Sequence, residues 1–95
     1  MQSELFEWDD EKAEANLWKH KVSFAEGATV FDDPYVVIEP DRLHSHGEVR
    51  AFATGFSRMS RVLLVVYTER YERVRLISAR KATPEERRKY ESQFE

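Results

Sequence analysis

Arg73-Val74-Arg75-Leu76-Ile77-Ser78-Ala79-Arg80-Lys81-Ala82-Thr83, running into Pro84-Glu85-Glu86-Arg87-Arg88-Lys89-Tyr90-Glu91, is the stretch whose reading decides the fold. Apolar and small residues alternate with or abut arginines, which predicts an interior strand that delivers Arg75 and Arg80 to fixed positions. Thr83 with Glu86 three residues on forms a capping box, and Pro84 takes the first helical position, where its missing N–H costs nothing. A strand therefore ends and a helix begins between Arg80 and Thr83.

Working outward, Arg61 to Thr68 is the most continuous apolar run and makes the central strand. Arg50 to Phe56 alternates Phe52, Thr54 and Phe56 against Ala51, Ala53 and Gly55, a strand with aromatics on one face. The connections over residues 57–60 and 69–72 have hairpin lengths, so these three strands form an antiparallel meander. Tyr35 to Glu39 has strand composition, with Pro40 ending it, and residues 41–48 read as an exposed loop. At the start, Leu5 to Trp8 suits a short strand with Phe6 and Trp8 on one face. Asp9 or Asp10 then caps a helix over Asp10 to Lys19, whose inner positions are Ala13, Asn16, Leu17 and His20. Ser23 and Glu26 make a second capping box for a short helix carrying Phe24, Ala28 and Phe31, stopped by Asp33-Pro34. The last helix runs from Pro84 to about Phe94. The expected fold is a single α+β domain over residues 1–95: strand, two helices, four strands and a C-terminal helix around a small antiparallel sheet, with helices mainly on one side.

Ninety-five residues with 41% hydrophobic and 13% aromatic content suit one core, and no second domain is expected. No apolar run approaches a membrane span, and Met1-Gln2-Ser3-Glu4 lacks the basic and apolar regions of a signal peptide, so a cytoplasmic protein is expected. The absence of cysteine removes disulfides, thiol nucleophiles and cysteine-ligated zinc together. The net charge of −3 conceals a division: residues 1–48 hold four basic against twelve acidic residues, while residues 49–95 hold eleven against six. An anionic ligand belongs with the second half.

His44, His46 and Glu48 are acceptable metal ligands by type, but their spacing supports a polar loop, and no metal or other cofactor is expected. Phosphate-loop, nucleophile-elbow and zinc-protease motifs are absent. Lys12, Lys19, His20, Arg50, Arg75, Arg80, Arg87 and Tyr90 remain. Cutting RNA without a metal needs a proton acceptor for the 2′-hydroxyl, a donor for the leaving 5′-oxygen, and cations for the charge growing on phosphorus. His20 has the ordinary pKa for the first task, and Arg75 and Arg80 could clamp the phosphate. Purely structural alternatives stand beside these: His20 as a cation on a helix C-terminus, and the arginines as partners of the acidic first half.

Phe6-Glu7-Trp8-Asp9, Lys12, Asn16, Lys19-His20, Val22-Ser23-Phe24, Ala28, Phe31 and Asp33-Pro34 resemble the first half of the BrnT toxin family. Arg50, Gly55, Leu64 to Thr68, Arg75 to Thr83, Glu86-Arg87 and Tyr90-Glu91 resemble its second half in the same order. The resemblance implies a RelE-like fold and a bacterial type II toxin-antitoxin system, with a ribonuclease that inhibits translation. It also implies a BrnA-like ribbon-helix-helix antitoxin as partner, RNA as substrate, and operator DNA contacted only through the toxin-antitoxin complex. Lys21 stands where the family commonly has the glycine that ends the helix in a left-handed conformation. On this reading Arg75 and Arg80 bind the phosphate and its transition state, His20 or Lys19 moves a proton, Arg50 adds to the basic surface, and Arg87 and Tyr90 complete the site. The competing reading is a non-catalytic module that binds nucleic acid or a partner protein in operon autoregulation.

Overall fold

A computed structural model describes residues 3–95; Met1 and Gln2, the start of the segment read for a leader, lie outside them. After a two-residue strand, β1 (Phe6–Glu7), the Asp9 carboxylate accepts hydrogen bonds from the backbone of Glu11 and Lys12 and starts α1 (Asp10–His20). The helix stops at Lys21, which takes φ 59° and donates its backbone N–H to Leu17. The residue in place of the expected glycine is thus itself left-handed. Such a conformation disfavours a side chain by about 1–2 kcal/mol. Two contacts hold it there: Arg61 Nη2 donates to the Lys21 carbonyl at 3.0 Å, and Lys21 Nζ donates to that of Trp18 at 2.9 Å.

Ser23 caps α2 (Phe24–Ala28), which tightens into a 3-10 turn over Thr29–Asp32. Four strands follow, β2 (Val37–Asp41), β3 (Arg50–Phe56), β4 (Val62–Arg70) and β5 (Arg73–Lys81), and then α3 (Pro84–Glu91) behind the complete Thr83/Glu86 capping box. The sheet order is β1-β5-β4-β3-β2. Strands β2 to β5 form the antiparallel meander, one strand longer than the three connected by hairpins in the sequence reading. The β4–β5 connection is also tighter than four residues, because Tyr71 and Glu72 both take positive φ and make a two-residue turn matched to strand twist.

Two expectations are corrected. The sheet is mixed, since β1 pairs in parallel with β5, Phe6 beside Val74 and Glu7 beside Arg75. β5 enters with an outer edge that no hairpin covers, and the backbone of Leu5 accepts from Val74 N at 2.8 Å. Pro40 lies inside β2 rather than ending it. The position is tolerated because β2 is the edge strand, where a missing N–H breaks no ladder bond on the outer side.

The core lies between the sheet and the first two helices. Val22, Val30, Ala53, Leu63, Val65 and Ala79 are completely buried there, with Phe24 and Leu76 nearly so. Each large apolar side chain so covered stabilises the fold by about 1.5–3 kcal/mol. Phe31 meets Tyr67 edge-on at 5.1 Å, and Trp8 meets Phe24 edge-on at 5.8 Å. Gly27 allows α2 to seat closely, because a Cβ there would come within 3.0 Å of the Ala79 methyl. On the helical wheel Asn16 is buried as expected, but Leu17 is half exposed. The third helix packs on the opposite face of the sheet, through Tyr90, so the helices are divided between the two faces.

Candidate functional site

Side chains alternate between faces along a strand, and cross-strand partners share a face. The row Ala53–Val65–Ala79 points into the core, so the neighbouring row Thr54–Leu64–Arg80 points out of the other face. Four residues along β4, Thr68 stands on the same outer face between Arg50 and Arg75. That row is extended by Asp41 beyond Arg50 and by Glu7 beyond Arg75. The topology therefore brings Arg50, Arg75 and Arg80 to one face, in two rows about 13 Å apart.

Arg80 occupies a cleft of about 390 Å³ between this face and α3, with Thr54, Leu64, Glu86 and Tyr90 among its walls. Its guanidinium is held in a fork: Nη1 donates to Glu86 Oε1 at 2.8 Å and Nη2 to Oε2 at 3.0 Å. Glu86 Oε1 also accepts from the backbone of Thr83 at 2.8 Å, so one carboxylate caps the helix and fixes the arginine. The Arg80 bond holds Glu86 below the usual carboxylate range, and the same bond raises Arg80. The Tyr90 hydroxyl is engaged elsewhere. It donates to Asp33 Oδ2 at 2.5 Å, and Asp33 also accepts from the backbone of Tyr35 and Phe56. Burial, with the Asp33 bond added, pushes the Tyr90 phenol well above its ordinary value. The Tyr90 hydroxyl is thus committed to Asp33, and its buried ring anchors α3 on the sheet.

In the other row Arg75 Nη1 donates to Glu7 at 2.6 Å. Arg50 has no ion-pair partner among the described residues, and Glu48 belongs to Arg70 at 2.8 Å. Glu48 is lowered first by that bond, with the fields of Arg50 and Arg75 adding to it. Arg87 does not line the Arg80 cleft; it lies 3.7 Å from Glu91 and is well exposed. Lys19 and His20 end α1, and neither lines the Arg80 cleft. The loop histidine His44 contacts Asp41 through Nδ1 at 3.0 Å. Among the described residues no group of three or more histidine and carboxylate side chains converges as a metal site. No helix among them is long and apolar enough to cross a membrane.

Three groups take structural roles that the sequence did not announce. Asn16 bonds to both backbone groups of Ala79, the residue before Arg80. Its signal was a short amide on an otherwise apolar helix face. Buried Glu26 accepts from Ser57 Oγ at 2.6 Å and from Arg61 Nε and Nη2 at 2.8 and 2.6 Å. Asp33, the third, was read only as a helix stop.

A family model described as the ribonuclease toxin BrnT of a type II toxin-antitoxin system matches residues 8–86. No curated protein matches the chain. Among solved structures, the 1.1 Å crystal structure of the Brucella abortus ribonuclease toxin BrnT superposes with a TM-score of 0.65 at 20% identity, covering 83% of this chain and 97% of that one. The superposition shows that the two share a fold.

Proposed function

The chain belongs to the BrnT family of ribonuclease toxins of type II toxin-antitoxin systems, and from that premise we propose that it cuts RNA without a metal ion, on the sheet face that carries Arg50, Arg75 and Arg80. The observation that carries the reading is the shared face of these three arginines, one of them held in a two-bond fork. A phosphate presents the same pair of oxygens to a guanidinium as a carboxylate does, so the geometry that Glu86 occupies is the geometry a scissile phosphate needs. Arg80 stays charged at any working pH. Substrate phosphate displaces Glu86 from part of the fork, and Glu86 retains its cap on Thr83.

The reaction is attack of the ribose 2′-oxygen on phosphorus. The O2′–P bond forms, the P–O5′ bond breaks, the 2′-proton passes to a base and a proton reaches the leaving oxygen. Arg80 and Arg75 stabilise the charge on the phosphorane, and Arg50 and Arg87 bind flanking phosphates. His20 or Lys19 serves in proton transfer, which requires the RNA to pass the end of α1. The neutralising partner is a ribbon-helix-helix antitoxin of the BrnA kind, and the complex carries the DNA contacts.

Incubating the purified chain with total RNA in EDTA and mapping 5′ ends tests the reading. New 5′-hydroxyl ends paired with 2′,3′-cyclic phosphates are expected. RNA retained at low salt without new ends would favour the binding module instead.

A further inference from the structure

A second cleft, of about 610 Å³, lies between α3 and the β3–β4 turn, and Tyr90 forms the wall it shares with the Arg80 cleft. None of the assigned roles uses its aromatic surface. Phe56 and Phe94 line it and are 47% and 55% exposed, whereas Phe6, Phe24, Phe31 and Phe52 are all better covered. The charges around them are Arg61, Lys81 and Arg87 against the single carboxylate Glu91. Arg61 is committed to Glu26; Arg87 has only the long, solvent-exposed contact with Glu91 at 3.7 Å, and Lys81 stands exposed beside it at the rim. The position is also continuous with the arginine face. Phe56 follows Thr54 on the same side of β3, Thr54 shares a row with Arg80, and Arg80 Nη1 donates to the Lys81 carbonyl at 3.2 Å.

We infer that this cleft is a base-stacking subsite for single-stranded RNA, in which an unpaired nucleobase lies on the ring of Phe56 while Lys81 and Arg87 hold the phosphates on either side of it. An aromatic floor with cations at its rim matches a ligand that alternates π faces with negative charge, and stacking of this kind tolerates any base. An apolar protein segment would use the floor and leave Lys81 unmatched, with Arg87 held only by its exposed contact with Glu91. The inference rests on the ribonuclease reading and adds where the substrate is gripped beside the reacting phosphate.

The test is binding of a labelled 2′-O-methyl hexanucleotide, which lacks the attacking hydroxyl and survives the assay. Phe56→Ala should weaken binding by about five- to a hundredfold, the range for loss of one stacked base. A hexanucleotide abasic at the stacked position should bind wild type with the same loss, and the two changes together should lose no more than either alone. The variant is expected to fold, because Asp33 receives the Phe56 backbone N–H and not its ring. Equal binding of intact and abasic oligonucleotides by wild type, or unchanged binding by folded Phe56→Ala, would overturn the subsite and leave the cleft as a protein-docking surface while RNA binding stands. No retention of the hexanucleotide by wild type at low salt would overturn the subsite together with the ribonuclease reading beneath it.

Discussion

Asn16 and Ala79 are joined as two strands would be: the Asn16 side-chain oxygen accepts from Ala79 N at 3.1 Å and its amide donates to Ala79 O at 2.8 Å. β1 pairs with β5 only at Val74 and Arg75, so the outer edge further along is completed by a side chain from α1. The same amide donates to Val22 O at 2.9 Å and so ties the helix exit to the strand that bears Arg80.

Asn16→Ala should therefore destabilise the chain by about 3 kcal/mol or more, because three buried backbone groups lose their partner at about 1–3 kcal/mol for each group left unsatisfied. Urea denaturation measures it. A loss of only a few tenths would mean that water replaces the amide.

Lys21→Gly should stabilise by about 1 kcal/mol, the strain of a left-handed side chain less what its own contacts return. The Arg61 bond to the carbonyl at this position survives the change. The midpoint of thermal unfolding should rise. A fall would mean that the Lys21 contacts with Trp18, where Nζ lies 4.7 Å from the ring, outweigh the strain.

Glu26 is the buried acid whose titration should dominate acid unfolding. Its carboxyl is depressed below the ordinary glutamate value chiefly by the Arg61 bond, and its side chain is only 3% exposed. A depressed carboxylate binds fewer protons folded than unfolded, so its stabilisation is complete above about pH 4.3 and is lost as pH falls through the lower folded value. Glu26→Gln should cost about 1.5–3 kcal/mol at pH 7, the range for hydrogen bonds to a charged group, since Arg61 loses its counter-charge but keeps the Lys21 carbonyl, and should flatten the loss of stability below pH ~4.3. Urea melts at a series of pH values read both effects.

Tyr90→Phe should lower stability by about 1.5–3 kcal/mol, the range for a hydrogen bond to a charged group. RNA cleavage by the folded fraction should persist. Cleavage lost without loss of stability would give Tyr90 a catalytic role.

Much of this was legible where the pattern is local. Thr83, Pro84 and Glu86 announce a helix start within four residues, and the capping box forms as written. Alternation along Arg50–Phe56 assigned the two faces of β3, and the apolar run at residues 61–68 marked the centre of the sheet. What escaped depends on partners distant in sequence. Asn16 and Ala79 lie 63 residues apart, and nothing near either says that an amide will finish a strand edge. Pro40 reads as a terminator until β2 is known to be the outermost strand. At the site, the sequence announced Glu86 as a cap, but its grip on Arg80 emerges only when β5 and α3 fold against each other.

The most direct measurement is cleavage of RNA in EDTA by wild type, Arg80→Ala and Glu86→Gln side by side, with the fold of each checked by circular dichroism. Gln at position 86 can keep the cap on Thr83 while releasing the charge on Arg80. Arg80→Ala should lose about a hundredfold or more in rate while folded, the usual effect of removing one transition-state donor, and Glu86→Gln should bind RNA more tightly than wild type. A folded Arg80→Ala that cleaves at the wild-type rate would contradict the account and reduce the Arg80–Glu86 fork to a structural clasp.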